Sequence, residues 1–246
     1  MLFLSTIIYQ HCLHLGSIMN KKKTAVVLLS GGLDSATCLY WAKKQGFDCH
    51  CLIFDYGQRH KKEIQQAVKI AKINKSPFQV VKIFFPWKGS SLLDKSLTVP
   101  VATAVRRPPS AIPSTYVPAR NTIFLSFALS FAEAIGARAI VIGANALDYS
   151  GYPDCRPGYF QAMQKMANLA TKAGIEGKKI KILTPLLHKT KAQIIKLGTK
   201  LKVPYQLTWS CYRGGAKPCV ICDSCILRAK GFREAKIADP AILDSR

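Results

Sequence analysis

The stretch Ser30-Gly31-Gly32-Leu33-Asp34-Ser35 sits at a junction between a strand and a helix, and that junction decides the fold. Before it lies Thr24-Ala25-Val26-Val27-Leu28-Leu29, a short apolar, β-branched run that reads as a buried strand. After it, a helix starts at Asp34 or Ser35 and runs through Trp41 to about Gly46. A glycine pair lets the backbone turn tightly and lets a ligand approach with no Cβ in the way. The amides at the helix start then converge on one spot, a site suited to an anion such as phosphate. The hydroxyls of Ser30 and Ser35 add donors. No G-x-x-x-x-G-K-[ST] is present, so this is not a Walker loop.

Outward from that loop, strand-like and helix-like runs alternate. Cys49–Phe54 reads as a second strand, Arg59–Ile73 as a helix and Phe78–Ile83 as a third strand. From Phe85 to Pro118 the chain is rich in proline and lacks periodicity, which marks a functional, lid-like insert or a disordered one. Ala119–Ile135 reads as helix, Ala139–Ile142 as strand, Tyr159–Ala173 as helix and Ile180–Leu183 as strand. Thr190-Lys191-Ala192-Gln193 forms a capping box for a helix through Leu201. This alternation predicts an α/β fold, a parallel sheet with helices on both faces. Ligands in such sheets bind beyond the carboxyl ends of the strands, where Ser30, Asp55 and Asn145 lie.

The expected division is a leader at 1–18, an α/β domain at 19–205 carrying the insert 85–118, and a cysteine-rich region at 206–246. Met1–Ile18 has no charged residue, and Gln10, His11 and His14 interrupt its apolar run. It suits neither a signal peptide nor a membrane span, and Met19 reads as the native start. Lys and Arg number 36 against 13 Asp and Glu, a formal charge of +23, which suggests an anionic partner or a solvated lysine surface. Nine cysteines without a secretion signal point to the cytoplasm, where clustered thiols mean metal.

Cys211, Cys219, Cys222 and Cys225 form C-x7-C-x2-C-x2-C. Four sulfur ligands with no open position describe a structural Zn2+ site, and an iron–sulfur cluster is the competing reading. Cys38, Cys49 and Cys51 read as core, and Cys155 has no paired histidine to make it a nucleophile.

The Ser30–Ser35 stretch resembles the S-G-G-x-D-S signature of the PP-loop ATP pyrophosphatases, enzymes that release pyrophosphate while adenylating a substrate. Further segments sharpen that resemblance: Phe54–His60, Tyr116–Thr122, Gly143–Pro157, Leu207–Tyr212 and the cysteine cluster. Together, over about Lys23 to Pro240, they resemble the 7-cyano-7-deazaguanine synthases, the nitrile-forming enzymes of queuosine precursor synthesis. The resemblance implies a Rossmann-like, adenine nucleotide alpha hydrolase-like fold and a homodimer. It implies that 7-carboxy-7-deazaguanine and ammonia are joined at the expense of ATP, with Mg2+ at the phosphates. Ser30, Gly31, Gly32, Leu33, Asp34, Ser35, Asp55 and Tyr56 would then bind nucleotide. Asp34, Lys191 and Arg120 would act in catalysis, and Asn121, Asn145, Asp148, Tyr152, Asp154 and Arg156 would contact the substrate. Plainer roles stand beside these: Asp34 as a helix N-cap, Lys191 as a surface charge, and Ser150–Asp154 as ordinary turn chemistry. Tyr56, Tyr152 or Trp209 suit stacking on a purine-like ring or ordinary core packing. His60 and His188 receive no role.

Two other classes compete. A PP-loop tRNA thiolase or lysidine-type ligase would use the +23 charge directly, although no appended RNA-binding domain is evident. A nucleotide-binding or zinc-ribbon module without chemistry is the non-enzymatic alternative. No membrane is expected; tRNA binding is not expected, though the +23 charge does not exclude it.

Overall fold

The computed structural model describes residues 23–59, 61–101, 112–147 and 152–243. The leader, His60 and Asp148 lie outside the described residues, as does the middle of the proline-rich insert.

The strand Thr24–Leu28 (β1) leads through the glycine loop into helix Leu33–Lys44 (α1). Asp48–Asp55 (β2), Lys62–Ile73 (α2) and Phe78–Lys82 (β3) follow, then, after the insert, Arg120–Ala134 (α3) and Ala139–Val141 (β4). Pro157–Ala170 (α4), Lys172–Ile175 (α5), Lys181–Leu183 (β5) and Lys191–Lys200 (α6) complete the α/β part. Asp223–Ala235 (α7) and Pro240–Leu243 (α8) close the described chain.

The five strands are all parallel, in the order β3-β2-β1-β4-β5. β1 is central, with Val26 in register with His50 on one side and Ile140 on the other. Alternate side chains feed two layers. Ala25, Val27, Cys51 and Ile53 pack with α1, α2 and α6, while Val26, Leu52, Phe54 and Ile140 pack with α3 and α4. Burial of each such Val, Ile or Leu contributes about 1.5–3 kcal/mol, which explains why near-continuous apolar runs become central strands. Cys38, Cys49 and Cys51 belong to this core. Among the described residues no helix is long and apolar enough to cross a membrane.

The Thr190–Gln193 capping box is present in both directions: Gln193 N–H donates to Thr190 Oγ1 at 3.2 Å, and Thr190 N–H to Gln193 Oε1 at 2.9 Å. The expected single helix Tyr159–Ala173 is instead two. Thr171 adopts extended angles, donates its hydroxyl to Ala167 O at 2.8 Å and caps α5 by accepting Gly174 N–H at 2.9 Å. A side chain that satisfies both helix ends at once makes the break local. α7 packs against α6 so closely that a Cβ on Gly231 would lie 2.3 Å from Lys191 Cγ.

The order of strands reverses between β1 and β4, so a crevice opens there beyond the carboxyl edge.

Candidate active site

A cleft of about 260 Å³ opens at that edge. One wall is the glycine loop. Gly31 has φ +84°, and a Cβ there would stand 2.1 Å from the carbonyl oxygen of Glu63 on α2. Only glycine allows both the left-handed turn and this approach. Gly32 is the N-cap of α1 and no side chain caps the helix, so the N–H groups of its first turn have no acceptor within the helix. The two serine hydroxyls brace the loop: Ser30 Oγ lies 3.0 Å from Ser35 Oγ, and the Ser35 hydroxyl reaches Gly32 O at 3.0 Å. Asp34, in that first turn, turns away from the helix amides. Both its oxygens lie 2.8 Å from Lys191 Nζ, which extends from the first turn of α6. The two side chains are only 25% and 11% exposed, so solvent screens the pair little.

Across the cleft stands Arg120, the first residue of α3. Its Nη1 lies 3.4 Å from the Tyr56 hydroxyl, and its Nε is buried with no hydrogen-bond partner among the described residues. Burial opposes the guanidinium charge, yet Tyr56, Tyr152 and Asp154 around it more than compensate and hold its pKa above the ordinary value. Burial also pushes the Tyr56 and Tyr152 hydroxyls up, so both stay neutral donors. Asn121 N–H donates to Asp154 Oδ2 at 3.1 Å and its side-chain amide to Asp154 O at 3.1 Å, which fixes the start of α3 under Arg120. Asn145 donates to Lys189 O at 2.6 Å and accepts Leu147 N–H at 2.9 Å, tying the end of β4 to the segment before α6.

The third wall comes from residues after α6. Trp209 N–H donates to Gly31 O at 2.9 Å, and Lys62 Nζ sits 3.9 Å from the centroid of the Trp209 ring. Arg228 of α7, almost fully buried, secures this segment. Its guanidinium bonds Asp239 through Nε at 2.7 Å and Nη2 at 2.8 Å, Thr208 Oγ1 at 2.7 Å and Tyr205 O at 3.1 Å.

Two residues beyond Trp209 the cysteines begin. The Sγ atoms of Cys211, Cys219, Cys222 and Cys225 all lie within 4.8 Å of one another. Thiolates around one tetrahedral ion at metal–sulfur distances of about 2.3 Å stand roughly 3.8 Å apart, so the four fit one metal ion with little movement. Backbone N–H groups of Arg213 and Cys219 donate to Cys211 Sγ at 3.4 and 3.3 Å, and Cys222 N–H donates to Cys219 Sγ at 3.4 Å, as suits thiolate charge. Val101 bridges to Cys222, so the insert is fastened to the same cluster.

A family model described as "Queuosine biosynthesis protein QueC" matches residues 24–236. The chain belongs to the QueC family. Within that company, the 7-cyano-7-deazaguanine synthase of Coxiella burnetii (strain RSA 493 / Nine Mile phase I) is 55% identical over 222 residues, 89% of this chain and 96% of that protein. The 7-cyano-7-deazaguanine synthase of Nostoc punctiforme is 53% identical over 220 residues, 89% of this chain and 98% of that protein. Among solved structures, a 4-thiouridine synthetase–RNA complex with bound ATP aligns at 20% identity and TM-score 0.49, covering 91% of this chain and 49% of that one. A likeness at that level carries no inference about activity.

In this QueC family member the residues singled out in the sequence do not all reach the cleft. Ser30, Asp34, Ser35, Arg120 and Lys191 line it, as do Gly32 and Leu33 of the loop. Tyr56, Asn121, Asn145 and Tyr152 complete the other side. Gly31 faces α2, and Asp55 turns to Lys61, 3.4 Å away. Asp154 is buried beneath Asn121, and Arg156 is an exposed N-cap of α4. Asp148 lies outside the described residues. Among the polar cleft residues that received no individual role in the sequence reading are Glu63, Arg228 and Gln58, the last within the Phe54–His60 segment. The available signal for Glu63 was its place in the first turn of the helix that follows β2, next to the carboxyl edge.

Proposed function

We propose that this chain converts 7-carboxy-7-deazaguanine and ammonia to 7-cyano-7-deazaguanine at the expense of ATP, through adenylated intermediates. The reading rests above all on identity exceeding one half, across nearly the whole chain, to enzymes named for that product. The cleft supports it chemically. A carboxylate is a poor acyl donor, so its oxygen must first attack the α-phosphorus of ATP and expel pyrophosphate. Ammonia then displaces AMP to give the amide. A second adenylation of the amide oxygen, followed by loss of AMP and the N–H protons, gives the nitrile.

The glycine loop offers first-turn amides and a positive helix terminus to the departing phosphates, and Lys191 adds a charge beside them. Asp34 is the carboxylate within that loop. Shifted off Lys191, which holds both its oxygens here, one such carboxylate would suit Mg2+ held mainly by nucleotide phosphates and water, which would neutralise charge on the leaving group. Arg120, whose planar fork matches a carboxylate, faces the loop from the substrate side with Tyr56 and Tyr152. Asn121 and Asn145 line the same space, and Asp154 and Arg156 act through the segment that supports it. For the cysteine cluster we propose Zn2+ as a structural ion. A cytoplasmic homodimer is the expected state, to be checked by sedimentation.

The experiment is incubation with 7-carboxy-7-deazaguanine, ammonium, Mg2+ and ATP, reading products by mass spectrometry. Nitrile with AMP is the expected result. An untouched substrate with folded, metal-loaded protein would overturn the reading, and tRNA would be the next molecule to try.

A further inference from the structure

The two nitrogen steps each release protons, and something in the cleft must receive them. Among the described lining residues the candidates are few. Asp34 has both oxygens on Lys191 Nζ. Burial raises the Tyr56 and Tyr152 hydroxyls and pushes the Cys155 thiol to about 11, so none of these is a base at neutral pH. The arginines stay charged. Glu63 is left.

Its setting is built rather than incidental. Glu63 stands in the first turn of α2, its carbonyl oxygen against Gly31, so its backbone is locked to the phosphate loop. Gln58 orients the carboxylate: its Oε1 accepts Tyr56 N–H at 2.8 Å, while its Nε2 donates to Phe54 O at 3.3 Å and to Glu63 Oε1 at 3.4 Å. That long contact is the one hydrogen bond to the carboxylate among the described residues. The groups facing Glu63 are Arg120 from α3 and Tyr56 and Gln58 from the turn after β2. The nearby cations are engaged elsewhere. Arg59 donates to the carbonyls of Asp94 and Leu97, Lys61 pairs with Asp55, and Lys62 covers Trp209. Burial, opposed by Arg120 and the Gln58 bond, lifts the carboxyl to about 7, so acid and base forms coexist near neutrality.

We propose that Glu63 is the general base of the nitrogen steps, at the cleft assigned above to nitrile formation. As ammonia bonds to the acyl carbon and the C–O bond to AMP breaks, the surplus proton on nitrogen passes to the Glu63 carboxylate. The O-adenylated amide gives up its two N–H protons by the same route, the first to form the neutral imidate and the second as AMP leaves and the C–N triple bond forms. The protonated Glu63 returns its proton to water between steps.

The test supplies the amide in place of the acid, so that no ammonia titrates, and follows nitrile formation against pH. A substrate-dependent pyrophosphate–ATP exchange assay reports adenylation separately. Wild type should show a rate that rises through about pH 7 and then levels. In Glu63→Gln, exchange should persist while nitrile formation falls by about 10²–10⁴ and loses that rise. Glu63→Asp should keep the rise at a lower rate. Unchanged nitrile formation in Glu63→Gln would overturn the proposal. So would a loss of exchange in proportion, because Glu63 would then serve nucleotide binding. If wild type itself neither exchanges pyrophosphate nor uses the amide, the synthase reading falls, and the base with it.

Discussion

Replacing Arg228 with methionine should both destabilise the protein and loosen the wall that closes over the Ser30–Ser35 loop. The arginine makes a two-pronged contact with Asp239 at 2.7 and 2.8 Å, and the two side chains are only 9% and 5% exposed. Methionine keeps the apolar stem but leaves the Asp239 carboxylate with the Ala241 N–H, 3.1 Å away, in place of a cation. It also strips Thr208 Oγ1 of its donor, while Tyr205 O loses one of three and keeps the Thr208 hydroxyl and N–H. Breaking a buried pair by removing one partner costs about 3–5 kcal/mol. At about 2–4 °C per kcal/mol for a chain of this size, the midpoint of thermal unfolding should fall by roughly 6–20 °C. The double variant Arg228→Met/Asp239→Leu removes both charges and should recover most of that loss, since a buried pair replaced by apolar groups is often neutral. Because Trp209 N–H holds Gly31 O, ATP affinity should fall in the single variant as well. Scanning calorimetry and ATP titration read the two effects. A midpoint shift below about 2 °C, or a double variant as unstable as the single one, would refute the reasoning.

Gly31→Ala forces a left-handed residue and a methyl group against Glu63 O, so the loop must shift; we expect ATP affinity to drop at least about tenfold, read by titration calorimetry. Cys219→Ser should leave the protein short of bound metal and lower its unfolding temperature, and elemental analysis of the wild type decides between zinc and iron. Glu63 also predicts a pH effect on stability. Its folded-state pKa, about 7, is raised above the usual 4.5, so its contribution is fully present below about pH 4.5 and is lost as pH rises through 7. Denaturant titrations across that window should show this decline in wild type relative to Glu63→Gln.

The glycine loop was legible because strand, glycine pair and helix are contiguous in Val26–Ser35, so local chemistry alone makes its shape. The capping box and the cysteine spacing were legible for the same reason: their partners lie within a few residues. The break at Thr171 was not, because apolar spacing continues across it while one hydroxyl serves both helix ends. Glu63 was hidden because its place depends on α2 packing against Gly31, an approach that only the folded chain supplies. Arg228 drew no reading from the sequence, since Asp239, Thr208 and Tyr205 reach it only when α7 docks on α6. Asp55 illustrates the converse. It stands at a strand end, as a ligand-binding residue should, and in the folded chain it pairs with Lys61 at 3.4 Å, outside the cleft lining.

The most direct test of activation at the Ser30–Ser35 loop follows oxygen. Substrate carrying heavy oxygen in both carboxylate positions is turned over with ammonia and ATP, and AMP, pyrophosphate and phosphate are analysed by mass spectrometry. Two adenylations predict that each AMP released carries one heavy oxygen and that two AMP form per nitrile. Heavy oxygen in inorganic phosphate, with ADP as the nucleotide product, would contradict attack at the α-phosphorus and the role assigned to this loop.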